Sequence, residues 1–101
     1  MAETKSYLVI SAIAKAGMQE KLHSYLSQAM PLAMAAGGKP TGRFMATEQL
    51  VGEGGPNIIA TLEFADDQAI KGMVESAEFV ALAALRNEVF EHLDMIICKT
   101  M

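Results

Sequence analysis

Two runs near the ends of the chain, Ser6 to Ala14 and Met95 to Cys98, are apolar at both parities, and no other feature narrows the possible folds as much. In the first run Leu8, Ile10 and Ala12 fall on one side of an extended chain, and Tyr7, Val9 and Ile13 on the other. A strand with one wet face alternates apolar and polar residues, because successive side chains point to opposite faces. A strand without a polar side belongs in a sheet that is covered twice.

The segments between these runs set the order of elements. Met18, Leu22, Tyr25, Leu26, Ala29 and Ala33 recur at three- and four-residue steps, the spacing of one helix face. Pro31 within that helix removes a backbone donor and predicts a kink, and Gly37-Gly38 predicts its end. Arg43 to Val51 reads as a second strand, closed by the turn Gly52-Glu53-Gly54-Gly55-Pro56, and Asn57 to Phe64 reads as a third. Asp66 fits the N-cap of a second helical region, with Ala65 and Ile70 as its hydrophobic staple, and Ser76 fits the cap of a further segment. Leu93 to Lys99 is the expected last strand.

The order β-α-β-β-α-β predicts an α+β, ferredoxin-like domain over residues 1–101, a four-stranded antiparallel sheet with helices on one face. Two helices cannot cover both faces of such a sheet. Leu8, Ile10, Ile58, Leu62 and Ile96 are assigned to one face, and Val9, Ile13, Ile59 and Ile97 to the other. The expected cover for the bare face is a second copy of the chain, in a self-complementary homodimer.

At 101 residues there is room for one core, and 51% hydrophobic content demands one. A net charge of −4 with scattered lysines and two arginines, Arg43 and Arg86, argues against a nucleic-acid partner. No apolar run approaches the roughly 20 residues that span a bilayer, and Met1-Ala2-Glu3-Thr4-Lys5 does not open a leader pattern. One cysteine, Cys98, fits a reducing compartment, so a cytoplasmic protein is expected.

The run Leu62-Glu63-Phe64-Ala65-Asp66, followed by Ser76-Ala77-Glu78-Phe79, Ala81-Leu82 and Ala84-Leu85-Arg86, resembles the bacterial family called domain of unknown function 1330. Gly37-Gly38 after a Pro-containing helix, with Arg43, Glu48, Gly52 and Pro56, fits the same pattern. The resemblance implies a dimeric α+β barrel, in which two sheets face each other. It implies no settled activity. Relatives elsewhere in that superfamily include small cofactor-free oxygenases, isomerases and dehalogenase-like proteins that work in an internal pocket.

Several polar residues stand out against this apolar frame. Glu63 shares the parity of Ile59 and Thr61 on the bare face. A buried carboxylate there would serve as a general base or ligand contact; near the strand end it would instead pair with Arg43 or Lys99. Arg43 offers a planar fork to a small acid, forms a structural pair with Glu63 or Glu48, or lies in solvent. His23, at the edge of the first helix, is either a proton-transfer group or a solvated residue. Arg86 fits an ion pair with Glu91, the last carbonyls of its helix, or a subunit contact. His92 is expected to close that helix, and Cys98 to lie in the core. Met18, Met30, Met34, Met45, Met73 and Met95 are core filler or the lining of an adaptable pocket.

Two function classes follow. One is a homodimer binding a small apolar acid, with Arg43 on the anion, Phe44, Met45, Phe79 and Arg86 lining the pocket, and Glu63 and His23 at its polar end. The other is an enzyme without cofactor that uses Glu63 or His23 for proton transfer. A structural or regulatory interaction protein is the third alternative. Two distant histidines and one cysteine make no metal set, and no cofactor is expected.

Overall fold

The computed structural model describes residues 5–101; of the Met1 to Lys5 run read for a leader, all but Lys5 lies outside them. Its elements are β1 (Ser6–Ala14), α1 (Gln19–Ala35), β2 (Lys39–Met45), β3 (Ile58–Phe64), α2 (Asp67–Glu75), α3 (Ala77–Val80), α4 (Ala83–Val89) and β4 (Phe90–Cys98). The four strands form one antiparallel sheet in the order β2-β3-β1-β4. With the helices on one side, this is the ferredoxin-like α+β arrangement. The slab is only 16 Å through its thinnest axis, one helix layer on one sheet.

Register assigns the faces. Leu8 pairs with Leu62 and with Ile97, and Ile10 with Ala60 and Met95, on the helix side. Tyr7, Val9 and Ser11 pair with Glu63, Thr61 and Ile59 on one flank and with Cys98, Ile96 and Asp94 on the other, on the open side. Ile96 and Ile97 thus exchange the faces expected of them. Where both faces are apolar, composition cannot fix the parity of a strand; only pairing does. Cys98, expected in the core, likewise sits on the open face and is half-buried.

Local signals behave as their chemistry requires. Asp66 accepts from Ala69 N–H at 2.9 Å and caps α2, and Ser76 accepts from Phe79 N–H at 3.2 Å and caps α3. Pro31 lies inside α1. That helix ends in a Schellman motif: Gly38 N–H donates to Ala33 C=O, Gly37 N–H donates to Met34 C=O, and Gly37 holds φ +92°.

The tight stop corrects the second strand, which runs over Lys39–Met45 and not Arg43 to Val51. Pro40 is tolerated because β2 is an edge, and the register slips between Pro40 and Gly42. Met45 against Ile58 uses up β3, so Thr47 to Val51 have no partner and form a loop. The last strand begins at Phe90, earlier than expected, because it pairs with Ala14 at the far end of β1. His92 therefore lies in β4 and not at a helix end; its Nε2 is 2.8 Å from Asp94.

The core has two parts. Leu8, Leu62, Phe64, Ile70, Met73 and Phe79 fill the space under α2, while Ala12, Tyr25, Leu82, Val89 and Phe90 fill that under α4. Among the described residues no helix is long and apolar enough to cross a membrane.

Candidate functional site

Between α1 and the sheet lies a cavity of about 330 Å³, open at the β2 edge. Its size falls at the lower end of small-molecule sites. The space arises from small side chains. Ala29 and Ala33 on α1, Ala60 on β3 and Gly42 on β2 are all part of its lining. Met30, Met45, Met73 and Met95 supply flexible walls, so part of the methionine set lines a pocket; Met34, in contrast, is exposed.

Arg43 stands at the mouth, opposite Ala60 in the ladder and therefore on the helix side. It is exposed, and among the described residues it makes no ion pair or hydrogen bond. Met45, 78% exposed, flanks the same opening. Phe44 reaches the rim, but its register with Ile59 belongs to the open face, where its ring lies over Gly42. Phe79 is buried and forms part of the inner wall.

Glu63 and His23 do not join this site. Glu63 is on the opposite face of the sheet and pairs with Lys5 at 3.1 Å, not with Arg43 or Lys99. The ladder explains why: Glu63 pairs with Lys39, and Arg43 lies further along the strand with its side chain on the other side. His23 is exposed on α1 and outside the cavity lining. The expected cluster of Arg43, Glu63 and His23 around one pocket is therefore not assembled. Tyr25 and Arg43 are the titratable side chains that line the cavity.

Arg86 stands behind the inner wall. Its Nε donates to Tyr25 Oη at 3.0 Å and an Nη donates to Phe79 C=O at 3.1 Å. The guanidinium carbon lies 4.3 Å from the Phe79 ring centroid and 5.7 Å from that of Tyr25. No ion pair to Glu91 forms. A 61-residue separation links Tyr25 to Arg86, so no local pattern announces the contact.

A second polar cluster escaped the sequence reading. Ser6, fully buried, donates from Oγ to Asp67, and Lys99 Nζ donates to Ser6 Oγ at 2.7 Å and to Asp67 Oδ1 at 2.9 Å. The Ser6 and Lys99 hydrogen bonds hold the Asp67 carboxyl below its usual value. A serine beside a lysine suggests a nucleophile and its base, but this hydroxyl donates to a carboxylate and has no exposed surface. The lysine is committed to the same carboxylate. The cluster ties the start of β1 and the end of β4 to the first turn of α2. Among the described residues no three His, Cys, Asp or Glu side chains converge as a metal set would.

Comparison with known proteins places the chain in a fold and a family. The family model described as domain of unknown function (DUF1330) matches residues 5–101. No curated protein matches. A protein of unknown function from Rhodopseudomonas palustris has a similar solved structure, with TM-score 0.83 at 14% identity over 99% of this chain and 85% of that one. A putative antibiotic biosynthesis monooxygenase from Nitrosomonas europaea gives 0.69 at 8% identity, covering 100% of this chain and 93% of the other. A protein from Bacteroides fragilis, described as dimeric, ferredoxin-like and of unknown function, gives 0.60 at 17% over 95% and 96%. At these identities the likeness is one of fold.

Proposed function

Because this chain belongs to the domain of unknown function 1330 family, whose name assigns no activity, we propose from the cavity itself that it is a homodimeric binding protein for a small, mostly apolar organic acid. One observation carries the reading: a guanidinium with no carboxylate partner among the described residues stands at the mouth of an otherwise apolar cavity of about 330 Å³. The fork of Arg43 matches a carboxylate in two parallel hydrogen bonds. The apolar body then displaces water from methionine and alanine walls, which supplies most of the binding free energy. That volume equals about eleven waters of liquid, so the fitting ligand is small.

The homodimer rests on the open face. Val9, Ile13, Ile59 and Ile96 lie there without a second helix layer, and Ile96 is 50% exposed. Lys5–Glu63 and His92–Asp94 pairs stand on the same side, as charged neighbours of an apolar centre. A second copy related by a twofold axis covers such a face with its own equal. The description of the Bacteroides fragilis neighbour as dimeric agrees with this reading. An enzymatic reading through Glu63 or His23 draws no support from the cavity, which neither residue lines.

The test is a thermal-shift and calorimetric screen of small aliphatic and aryl acids, each beside its primary amide. Acids should raise the melting temperature and bind more tightly than the amides, and Arg43→Gln should erase that preference. A flat response to every acid overturns the reading.

A further inference from the structure

Tyr25 is the buried polar residue of the cavity whose hydrogen bonding is incomplete. Its side chain is 5% exposed and lines the inner wall. A phenol hydroxyl carries one donor and accepts through lone pairs. Here the oxygen accepts from the Arg86 guanidinium at 3.0 Å, and the hydroxyl proton meets no acceptor among the described residues. The charge on Arg86 has no counter-ion among those residues. Its plane is held against the Phe79 ring, and one Nη is spent on a backbone carbonyl, so the group cannot swing away without losing three contacts. A cationic donor on the phenol oxygen polarises the O–H bond and strengthens it as a donor, and low surrounding dielectric enlarges the effect.

We propose that the Tyr25 hydroxyl, polarised by Arg86, is the inner anchor of the cavity and selects acids whose apolar body ends in an oxygen acceptor. The inference rests on the acid-binding reading and deepens it: Arg43 takes the carboxylate at the mouth, and Tyr25 takes a distal ether, carbonyl or hydroxyl oxygen. The two anchors lie across the sheet from each other. Arg43 is on β2, whereas Tyr25 packs on Ala12 of β1 and edge-on against Phe90 of β4, with ring centroids 5.5 Å apart. The strands beneath them, β2 and β1, are two strand spacings apart, about 10 Å between backbones. A para-substituted arylpropanoate, with a carboxylate at one end and a substituent at the other, is a probe of about that length. Tyr25 is a binding residue in this scheme, and Arg86 is a positioning residue that acts through it.

The experiment compares two acids of nearly equal shape, 3-(4-methoxyphenyl)propanoate and 3-(4-ethylphenyl)propanoate, by isothermal calorimetry on the full chain. The methoxy acid should bind the wild type roughly threefold to tenfold more tightly, the value of one net hydrogen bond in a dry site. Tyr25→Phe should bring the two acids to equal affinity. Arg86→Met should reduce the ratio, and Arg86→Lys should restore part of it. A merely structural role for Arg86 lowers both affinities alike and leaves the ratio intact, which overturns its part in the proposal. A further readout needs no variant: the Arg86 Nε–H resonance should shift on titration with the methoxy acid and much less with the ethyl acid. Equal affinities in the wild type overturn the inner anchor while the acid-binding reading stands. Absence of binding by both acids also overturns the inner anchor, whereas the acid-binding reading falls only with a flat response to every acid of the screen.

Discussion

Replacing Ala29 by leucine tests whether the space under α1 is a cavity built for a ligand. Ala29 is half-buried and lines it. Leucine adds three carbons at nearly equal helix propensity. At about 0.8 kcal/mol per buried CH2 the full gain is about 2.4 kcal/mol. Fixing the leucine rotamer removes about 0.5–1 kcal/mol. Because the cavity opens at β2, part of the added surface stays wet, and a net stabilisation of about 1 kcal/mol is expected. For a domain of this size that raises the melting temperature by about 4–8 °C. Circular dichroism melts at fixed protein concentration measure it, with exposed Ala35→Leu on the same helix as the control, expected within about 0.5 kcal/mol of wild type. The same variant should lose acid binding. A lower melting temperature refutes the reasoning, since overpacking a filled core is destabilising by about 1–3 kcal/mol. A stabilised variant that still binds acids places the ligand elsewhere.

Two glycines should respond in opposite directions. A Cβ at Gly38 would lie 2.6 Å from the Phe64 ring and 2.8 Å from the Ala33 carbonyl, so Gly38→Ala should lose about 1–3 kcal/mol in urea unfolding. Nothing lies within 4 Å of a Cβ at Gly72, inside α2, and Gly72→Ala should gain about 0.5–1 kcal/mol; equal effects would discredit the packing described at both. Because hydrogen bonds from Ser6 and Lys99 depress the folded-state pKa of Asp67, its contribution is complete above the ordinary value of 3.8 and fades as pH falls from there through the lower folded value. Unfolding midpoints between about pH 5 and about pH 2 should fall less steeply in Asp67→Asn, and an unchanged slope contradicts the cluster's role. On the open face, Ile96→Glu should yield a monomer by light scattering with its helical content intact; a dimer that persists shows that this face is not the interface.

What the sequence disclosed was local or periodic. β1 matches its expected span, Ser6–Ala14, because a strand apolar at both parities has few other uses. The Asp66 and Ser76 caps were legible because a cap is decided by residues three apart. β2 was not, for the opposite reason. Lys39-Pro40-Thr41-Gly42 has the composition of a turn and becomes a strand only by pairing with β3, whereas Thr47 to Val51 looks like a strand and has no partner. Phe90 continues the apolar rhythm of α4, and its pairing with Ala14 decides otherwise. Of the residues expected at the site, Arg43, Phe44, Met45 and Phe79 border the cavity and Arg86 stands behind it. The Tyr25–Arg86 contact and the Ser6–Asp67–Lys99 cluster join residues 32 to 93 positions apart, and nothing in their neighbourhoods signals them.

The placement of Arg43 on β2 carries a physical consequence. β2 is one of the two edge strands, most of its residues are exposed, Pro40 removes one donor, and its ladder slips beside Gly42. An edge so interrupted resists unwanted strand pairing. It is also the strand least held by its own sheet, and an anchoring guanidinium gains affinity only to the extent that its position is fixed in advance. Side chains on β2 alternate between the two faces: Arg43 and Met45 border the cavity, and Phe44 lies on the open side over Gly42. In the proposed homodimer, a partner that covers Phe44 immobilises β2 from the open side and so fixes Arg43 at the mouth. Coupling of this kind is reciprocal: an acid that clamps Arg43 must favour the dimer by the same factor by which the dimer favours the acid.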